Sequence, residues 1–430
     1  MLALGTTVAH VARRSHAGGA KKRPTRYAGG ATPPRLAEAL RLHKRGEHLA
    51  AVRAYAELLA LDPECADAAM NLATSLVTLG RARDAERAFA EALRLLPGDP
   101  RAHRDAGIGL AAVGAFAGAQ RALERAIELD PRAIGARLSL PRVLVSLGER
   151  EAALAQARAA VELAPRDASA WLELYRVVFD DLAPEEAVDC ARRATTLDPE
   201  HPHAPLFLVG ALELAGDRSA AGESLEAARG RLAPHALEAL AYVFEHRTAS
   251  TRSFAHKRDL LLDALARAPR EGIVVELGVR HGVSTRWLAE AAPASVVHGF
   301  DAFEGLPEPW QGKAPGLFAT AGELPEVPAN VALHPGWFAD TLPRFVAELR
   351  EPVRLLHVDS DLHASAELGL ELFGPHLAPG AVVVFDEYLG HASWRDDEHR
   401  AFREWVRAGA RVYEYLALSF VTGQAAVRVA

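Results

Sequence analysis

The sequence predicts an α-helical solenoid followed by an α/β domain. Two observations carry that expectation. Proline recurs every 34 residues through the first half of the chain, and short β-branched runs alternate with helical stretches in the last third. At 430 residues the chain is also too long for one ordinary core.

The repeat comes first. Pro63, Pro97, Pro131, Pro165 and Pro199 stand 34 residues apart, each with a leucine two places before it (Leu61, Leu95, Leu129, Leu163, Leu197). Gly46, Gly80, Gly114, Gly148 and Gly216 keep the same clock, and Leu182 breaks it once. Small residues (Ala85, Ala119, Ala153, Ala187, Ala221) fall where paired helices must touch, and Tyr55, Phe89 and Leu123 fill the next turn. The physical reading is a helix, a glycine-bearing turn, a second helix and a proline-led start to the next unit. Six such pairs are expected over about residues 35–235. The pattern resembles the tetratricopeptide (TPR) family. That resemblance implies stacked helix pairs whose concave groove takes a protein or peptide partner. Trp171 and Tyr175, one turn apart, either line that groove or pack between repeats. His201 and His203, set among Pro199, Pro202 and Pro205, read as a turn and not as a metal site.

Composition narrows the classes. The net charge is −7, yet residues 1–31 carry six basic side chains and no acid, so the rest of the chain is more acidic than the total suggests. An acidic body argues against a nucleic-acid footprint. Residues 1–31 read as a disordered basic tail, with a transit peptide as the alternative, and contain no apolar run long enough for a signal or membrane span. Cys65 and Cys190 are too few and too far apart for a disulfide framework or a cysteine zinc site, which sets a cytoplasmic location as the expectation.

From about residue 253 the texture changes. Ile273–Leu277, Val296–Phe300, Val331–His334, Val353–Val358 and Ala381–Phe385 are strand candidates, with helices expected at Ser284–Ala292, Ala364–Phe373 and Asp397–Ala408. Such alternation calls for a mostly parallel, Rossmann-like sheet covered by helices. Arg411–Leu418 and Gln424–Val429 are two further strands that form an antiparallel edge. The expected domains are therefore the tail at 1–31, a repeat array at 32–240 and an α/β domain at 253–430.

In open sheets of this kind ligands sit beyond the carboxyl ends of the strands. Glu276-Leu-Gly278-Val-Arg280-His-Gly282 follows the first strand, Asp301-Ala-Phe303 the second, Asp359-Ser-Asp361 the fourth and Asp386-Glu387-Tyr388 the fifth. Gly278 and Gly282 let the backbone approach a cofactor closely. Asp301, at the end of the next strand, is placed to accept the hydroxyls of a ribose. Arg280 stands where a dinucleotide motif has its middle glycine, which disfavours a nicotinamide cofactor, and no phosphate-binding loop follows a strand. Asp359, Asp361, Asp386 and Glu387 are hard oxygen ligands suited to Mg²⁺, which would acidify a bound hydroxyl. Helix caps and strand-end salt bridges are the alternative for the same four residues.

These segments, with His298–Glu308, Gly336–Pro343, Asp359–His363, Ala378–Gly380 and Asp386–Tyr388 in order, resemble class I S-adenosylmethionine methyltransferases of the macrocin O-methyltransferase-like type. The resemblance covers about residues 270–430. It implies that Glu276, Gly278 and Asp301 contact the cofactor, that Asp359, Asp386 and the residue after it ligate a metal, and that Asp361 accepts a proton. With the neighbouring loop positions, the candidate cofactor-binding set is Glu276, Gly278, Gly282, Ser284, Asp301 and Phe303. The candidate metal set is Asp359, Asp386 and Glu387, and the candidate catalytic pair is Asp361 and His363. Two departures stand out: Glu387 where these sugar O-methyltransferases carry Asp, and His363 where they carry Tyr. The function expected is methyl transfer to a hydroxyl of a sugar or small natural product. The alternative is a TPR scaffold whose methyltransferase-like domain has lost its chemistry.

Overall fold

Six helix pairs run through the first half of the chain in a computed structural model that describes residues 34–430. The basic segment 1–31 lies outside the described residues. The pairs are α1 (Pro34–Lys44) with α2 (His48–Leu61), α3 (Ala66–Thr78) with α4 (Ala82–Leu95), α5 (Pro100–Ala112) with α6 (Phe116–Leu129), α7 (Ile134–Leu147) with α8 (Arg150–Leu163), α9 (Ala168–Val178) with α10 (Glu185–Leu197), and α11 (Ala204–Leu214) with α12 (Arg218–Ala228). A single helix, α13 (Pro234–His246), follows. The clocked glycines do what the turn requires: Gly46, Gly80, Gly114, Gly148 and Gly216 all have φ between +69° and +84°, a region that penalises a Cβ. The clocked prolines do not lead the helices. Pro63 and Pro97 lie in turns, with Ala66 and Pro100 beginning the next helix. A proline just beyond a helix end cannot continue it, so these residues act as stops.

The chain divides into two compact units, residues 34–156 with 318–323, and residues 157–317 with 324–430. The division falls inside α8, so the second unit contains the last helix pairs together with the sheet. Within it, Leu182, which breaks the glycine clock, tops a longer turn whose neighbours are put to use. Buried Asp181 accepts from the Arg252 guanidinium at 2.8 Å and the Ser253 amide at 2.7 Å, and Phe179 packs edge-on to Phe420. Tyr175 is buried and stacks on Phe207, so of the two groove candidates this one packs between repeats. The Trp171 indole donates to the Pro165 carbonyl. His201 accepts the amides of His203 and Ala204 and so caps α11, as a turn residue should.

After α14 (Lys257–Arg267), the sheet is built from β1 (Ile273–Leu277), β2 (Val297–Asp301), β3 (Val331–Pro335), β4 (Val353–Val358), β5 (Leu377–Phe385), β6 (Tyr413–Leu418) and β7 (Ala425–Val429). Their order is β3-β2-β1-β4-β5-β7-β6, with β1 to β5 parallel and β7 antiparallel to both its neighbours. Helices α15 (Val283–Ala291), α16 (Phe338–Glu348), α17 (His363–Phe373) and α18 (Glu398–Ala408) make the connections. Strands β1, β4 and β5 are buried on both faces, which is why they read as mostly apolar runs, broken by Glu276, Arg354 and His357, rather than as alternating ones. Strand order reverses between β1 and β4, the place where sheets of this kind take ligands in a crevice beyond the strands' carboxyl ends.

Candidate functional site

Each of the four acidic segments expected at strand ends is there. Glu276 on β1 is fully buried, and a buried carboxylate needs partners. It accepts from the Thr285 hydroxyl and pairs with His357 Nδ1 at 2.9 Å. His357 also faces Asp386 across 3.8 Å. Burial opposes a charge on His357, but the neighbouring Asp386 and Glu276 carboxylates outweigh that and lift its pKa to about 10.

The loop after β1 is wound around Asp301. Asp301 Oδ2 accepts the amides of Val279 and Arg280 at 2.9 and 2.7 Å, and Oδ1 accepts that of Phe303 at 2.6 Å. One carboxylate thus joins the loops after β1 and β2. Gly278 has φ +98°, and a Cβ there would meet the Asp359 carbonyl oxygen at 1.8 Å. Gly282 has φ +67° and stands before α15, whose second residue is Ser284. Phe303 is buried with φ +59°. The six cofactor candidates therefore fall on the carboxyl ends of β1 and β2, the loops after them and the start of α15. Arg280, which sequence reading used only to exclude a dinucleotide, is held in the left-handed region at φ +50°. Burial pulls its pKa down to about 10 against the opposing pull of Asp359, Asp361 and Asp301. Burial, then Arg280 and Arg286, takes His281 down to about 3, so this imidazole is neutral at pH 7.

The carboxylates after β4 and β5 are less open than a metal site needs. Asp386 accepts from the Lys257 ammonium on Oδ2 and from the Gln424 side-chain amide on Oδ1 at 2.6 Å. Glu387 Oε1 lies 3.1 Å from the same ammonium. Burial disfavours ionisation of Asp386 and Glu387, but Lys257 overrides it and keeps both pKa values low. Burial and then Asp386 push Asp359 up to about 7. Burial, with Glu387, Asp359 and Glu398 nearby, raises Asp361 well above the usual range, and its backbone sits at φ +62°. Ligand atoms of His357, Asp359 and Asp386 come within 4.8 Å of one another. Even so, the pairing of Asp386 and Glu387 with Lys257 does not fit a divalent ion at the expected triad.

His363 is placed elsewhere. As the first residue of α17 it bonds Glu404 on α18 through Nε2 at 2.7 Å, with Glu367 at 3.9 Å, and so joins two helices rather than the carboxylates of the crevice. Two functional candidates were missed. Lys257 lies 129 residues before Asp386 in the chain. Glu398, fully buried at the start of α18, accepts the amides of Ser360 and Asp361 on Oε1 at 3.0 and 3.1 Å and that of Glu387 on Oε2 at 3.1 Å. It ties the two acidic loops together. In the sequence Glu398 stood only as part of the helix expected over Asp397–Ala408, and Lys257 gave no signal.

Known proteins show the same two parts. Residues 275–388 match a methyltransferase domain model, and residues 36–100, 71–134 and 142–202 match a tetratricopeptide repeat model. Among curated proteins, the 8-demethyl-8-(2,3-dimethoxy-alpha-L-rhamnosyl)-tetracenomycin-C 4'-O-methyltransferase of Streptomyces olivaceus is 32% identical over 154 residues. That match covers 30% of this chain and 57% of the relative, so the chain spans little more than half the relative's length. The solved O-methyltransferase NovP is 20% identical over 40% of this chain and 78% of its own, with a TM-score of 0.31. MamA residues 41 to the end, from Desulfovibrio magneticus RS-1, is 25% identical over 38% of this chain and 92% of its own, with a TM-score of 0.34. The chain thus carries TPR repeats followed by a C-terminal methyltransferase domain, which implies S-adenosylmethionine as methyl donor. Lys257 and Glu398 both lie outside the matched methyltransferase segment. No helix among the described residues is long and apolar enough to cross a membrane.

Proposed function

We propose that the C-terminal domain transfers a methyl group from S-adenosylmethionine to a hydroxyl of a sugar or small natural product, while the TPR array binds a protein or peptide. The observation that carries this reading is Asp301, whose carboxylate is oriented by three backbone amides at the end of β2, where it would meet the donor's ribose. The resemblance to an enzyme named for 4'-O-methylation of a rhamnosyl group supports the acceptor class. In this reading Glu276, Gly278, Gly282, Ser284 and Phe303 complete the donor site. The donor supplies an electrophilic methyl on sulfur. With donor and acceptor bound, the acceptor oxygen would form the new O–C bond as the C–S bond breaks with its electron pair left on sulfur, and Asp361 would take the hydroxyl proton. Positioning by rigid strand ends supplies most of the rate. Cys65 and Cys190 are buried thiols outside any disulfide, which is compatible with the cytoplasmic setting proposed.

The test is calorimetric titration of S-adenosylmethionine into the full chain and its Asp301→Ala and Asp301→Asn variants. Micromolar binding by wild type and a loss of at least about tenfold in each variant is the expected result, since a hydrogen bond to a charged group contributes about 1.5–3 kcal/mol. No binding by folded wild-type protein would leave the scaffold reading, which the departure at Glu387 favours.

A further inference from the structure

We propose that the Lys257 ammonium is the resident cation of the acidic crevice, holding Asp386 and Glu387 in place of a divalent metal and presenting its remaining N–H to the methyl acceptor.

The placement of Lys257 is not explained by its own helix. It is the first residue of α14, where the positive end of the helix dipole disfavours a cation. The side chain is nevertheless only 19% exposed, and its head group meets Asp386 and Glu387, which are 4% and 6% exposed. Its placement is therefore set by the carboxylates. The carboxylates, for their part, have little left for a metal. Both Asp386 oxygens are used, one by Lys257 and the other by Gln424 at 2.6 Å. His357 has only Nε2 to offer, because its Nδ1 is committed to Glu276 at 2.9 Å. Mg²⁺ asks for about six oxygens at about 2.1 Å in strict octahedral array, and it would have to displace an ion pair already formed.

An ammonium carries three N–H donors. Two are engaged by Asp386 and Glu387, and the third has no acceptor among the described residues. Aimed at an acceptor oxygen, that donor would stabilise the negative charge that grows as the hydroxyl proton leaves. This is the electrostatic part of what a metal does, supplied by a fixed positive charge. The acceptor role rests on the methyl-transfer reading above, whereas the occupancy of the crevice by Lys257 does not.

The probe is Mn²⁺ alone, followed by electron paramagnetic resonance in titrations of the full-length wild type, Lys257→Met and Lys257→Gln. Wild type is expected to show no saturable binding up to millimolar Mn²⁺, and the variants one bound ion at least about tenfold more tightly. Stoichiometric binding by wild type as tight as in the variants would overturn the proposal, as would folded variants that bind no better than wild type. If neither variant folds, the wild-type ¹⁵N spectrum decides. A slowly exchanging lysine ammonium signal that persists in excess Mg²⁺ supports the assignment, and its absence or its loss on adding Mg²⁺ overturns it. None of these readings requires turnover, so a failure to find methyl transfer would remove the function proposed above and leave this assignment standing.

Discussion

Glu398 has three backbone amides depending on one carboxylate and no exposed surface. Glu398→Ala would leave the Ser360, Asp361 and Glu387 amides buried without that partner. Orphaned buried donors cost about 1–3 kcal/mol each, and with some relaxation the expected loss is about 3 kcal/mol in urea unfolding. Glu398→Gln, which keeps an acceptor oxygen, should lose less. The neighbouring His399 gives a pH prediction. It lies among the rings of Tyr242, Tyr388 and Trp394, and burial, then Arg403, Arg395 and His246, pulls its pKa down to about 3. Its folded pKa is below its unfolded one, so its contribution is complete above the unfolded value and is lost as pH falls through it toward 3. Between pH 6.5 and 5 that loss is about 2 kcal/mol at most. Urea midpoints measured across this range should fall for wild type and flatten in His399→Phe. At this scale the sequence was readable only where position along a strand carried the meaning. Asp301, Asp359 and Asp386 end strands and could be found that way. Lys257 and Glu398 act on residues that only folding brings near, and nothing local marks them.

The loop after β1 shows what an element demands of a single residue. Gly278 has both the positive φ and the close approach to Asp359 that exclude a side chain. Gly278→Ala should therefore cost more than the 1–2 kcal/mol of left-handed strain alone and abolish donor binding, as read by melting temperature and calorimetry. At Gly282 the nearest atoms to an added Cβ are side-chain carbons of Pro325 at 3.1 Å, so Gly282→Ala should pay mainly the strain. The parallel strands were legible to within a residue or two, except that β5 begins earlier, at Leu377, and in β1, β4 and β5 burial on both faces is what forces the mostly apolar run. Helix α16 carried no such expectation. Pro343 sits inside it, and a proline in an otherwise helical stretch hides the periodicity that would reveal it. The repeat prolines show the reverse case, a correct period attached to a turn rather than to the first turn of a helix.

At the scale of the whole molecule, the passage from repeats to sheet was legible in composition, but the division inside α8 was not. What sets it is contact between residues distant in sequence. Tyr242 on α13 meets the Tyr415 hydroxyl at 2.7 Å, Tyr415 meets Tyr388 at the same distance, and Gly210 lies against the Phe420 ring. A fragment of residues 250–430 would bare Tyr415, Phe420 and Trp394, all under 9% exposed in the intact chain. Its melting temperature should lie below that of a 157–430 fragment by several degrees, the shift expected for each few kcal/mol lost. Equal melting of the two fragments would count against this account. The tyrosine chain has a wider consequence. Repeat arrays are commonly treated as handles that can be lengthened, trimmed or exchanged without touching what they carry. Here the last helices form a wall of the methyltransferase domain, and one of them reaches the segment that holds Asp386 and Glu387. Trimming or exchanging helices after residue 157 is then expected to disturb the domain they wall, and even among the earlier repeats Arg83 is tied to Glu323 of the 318–323 segment.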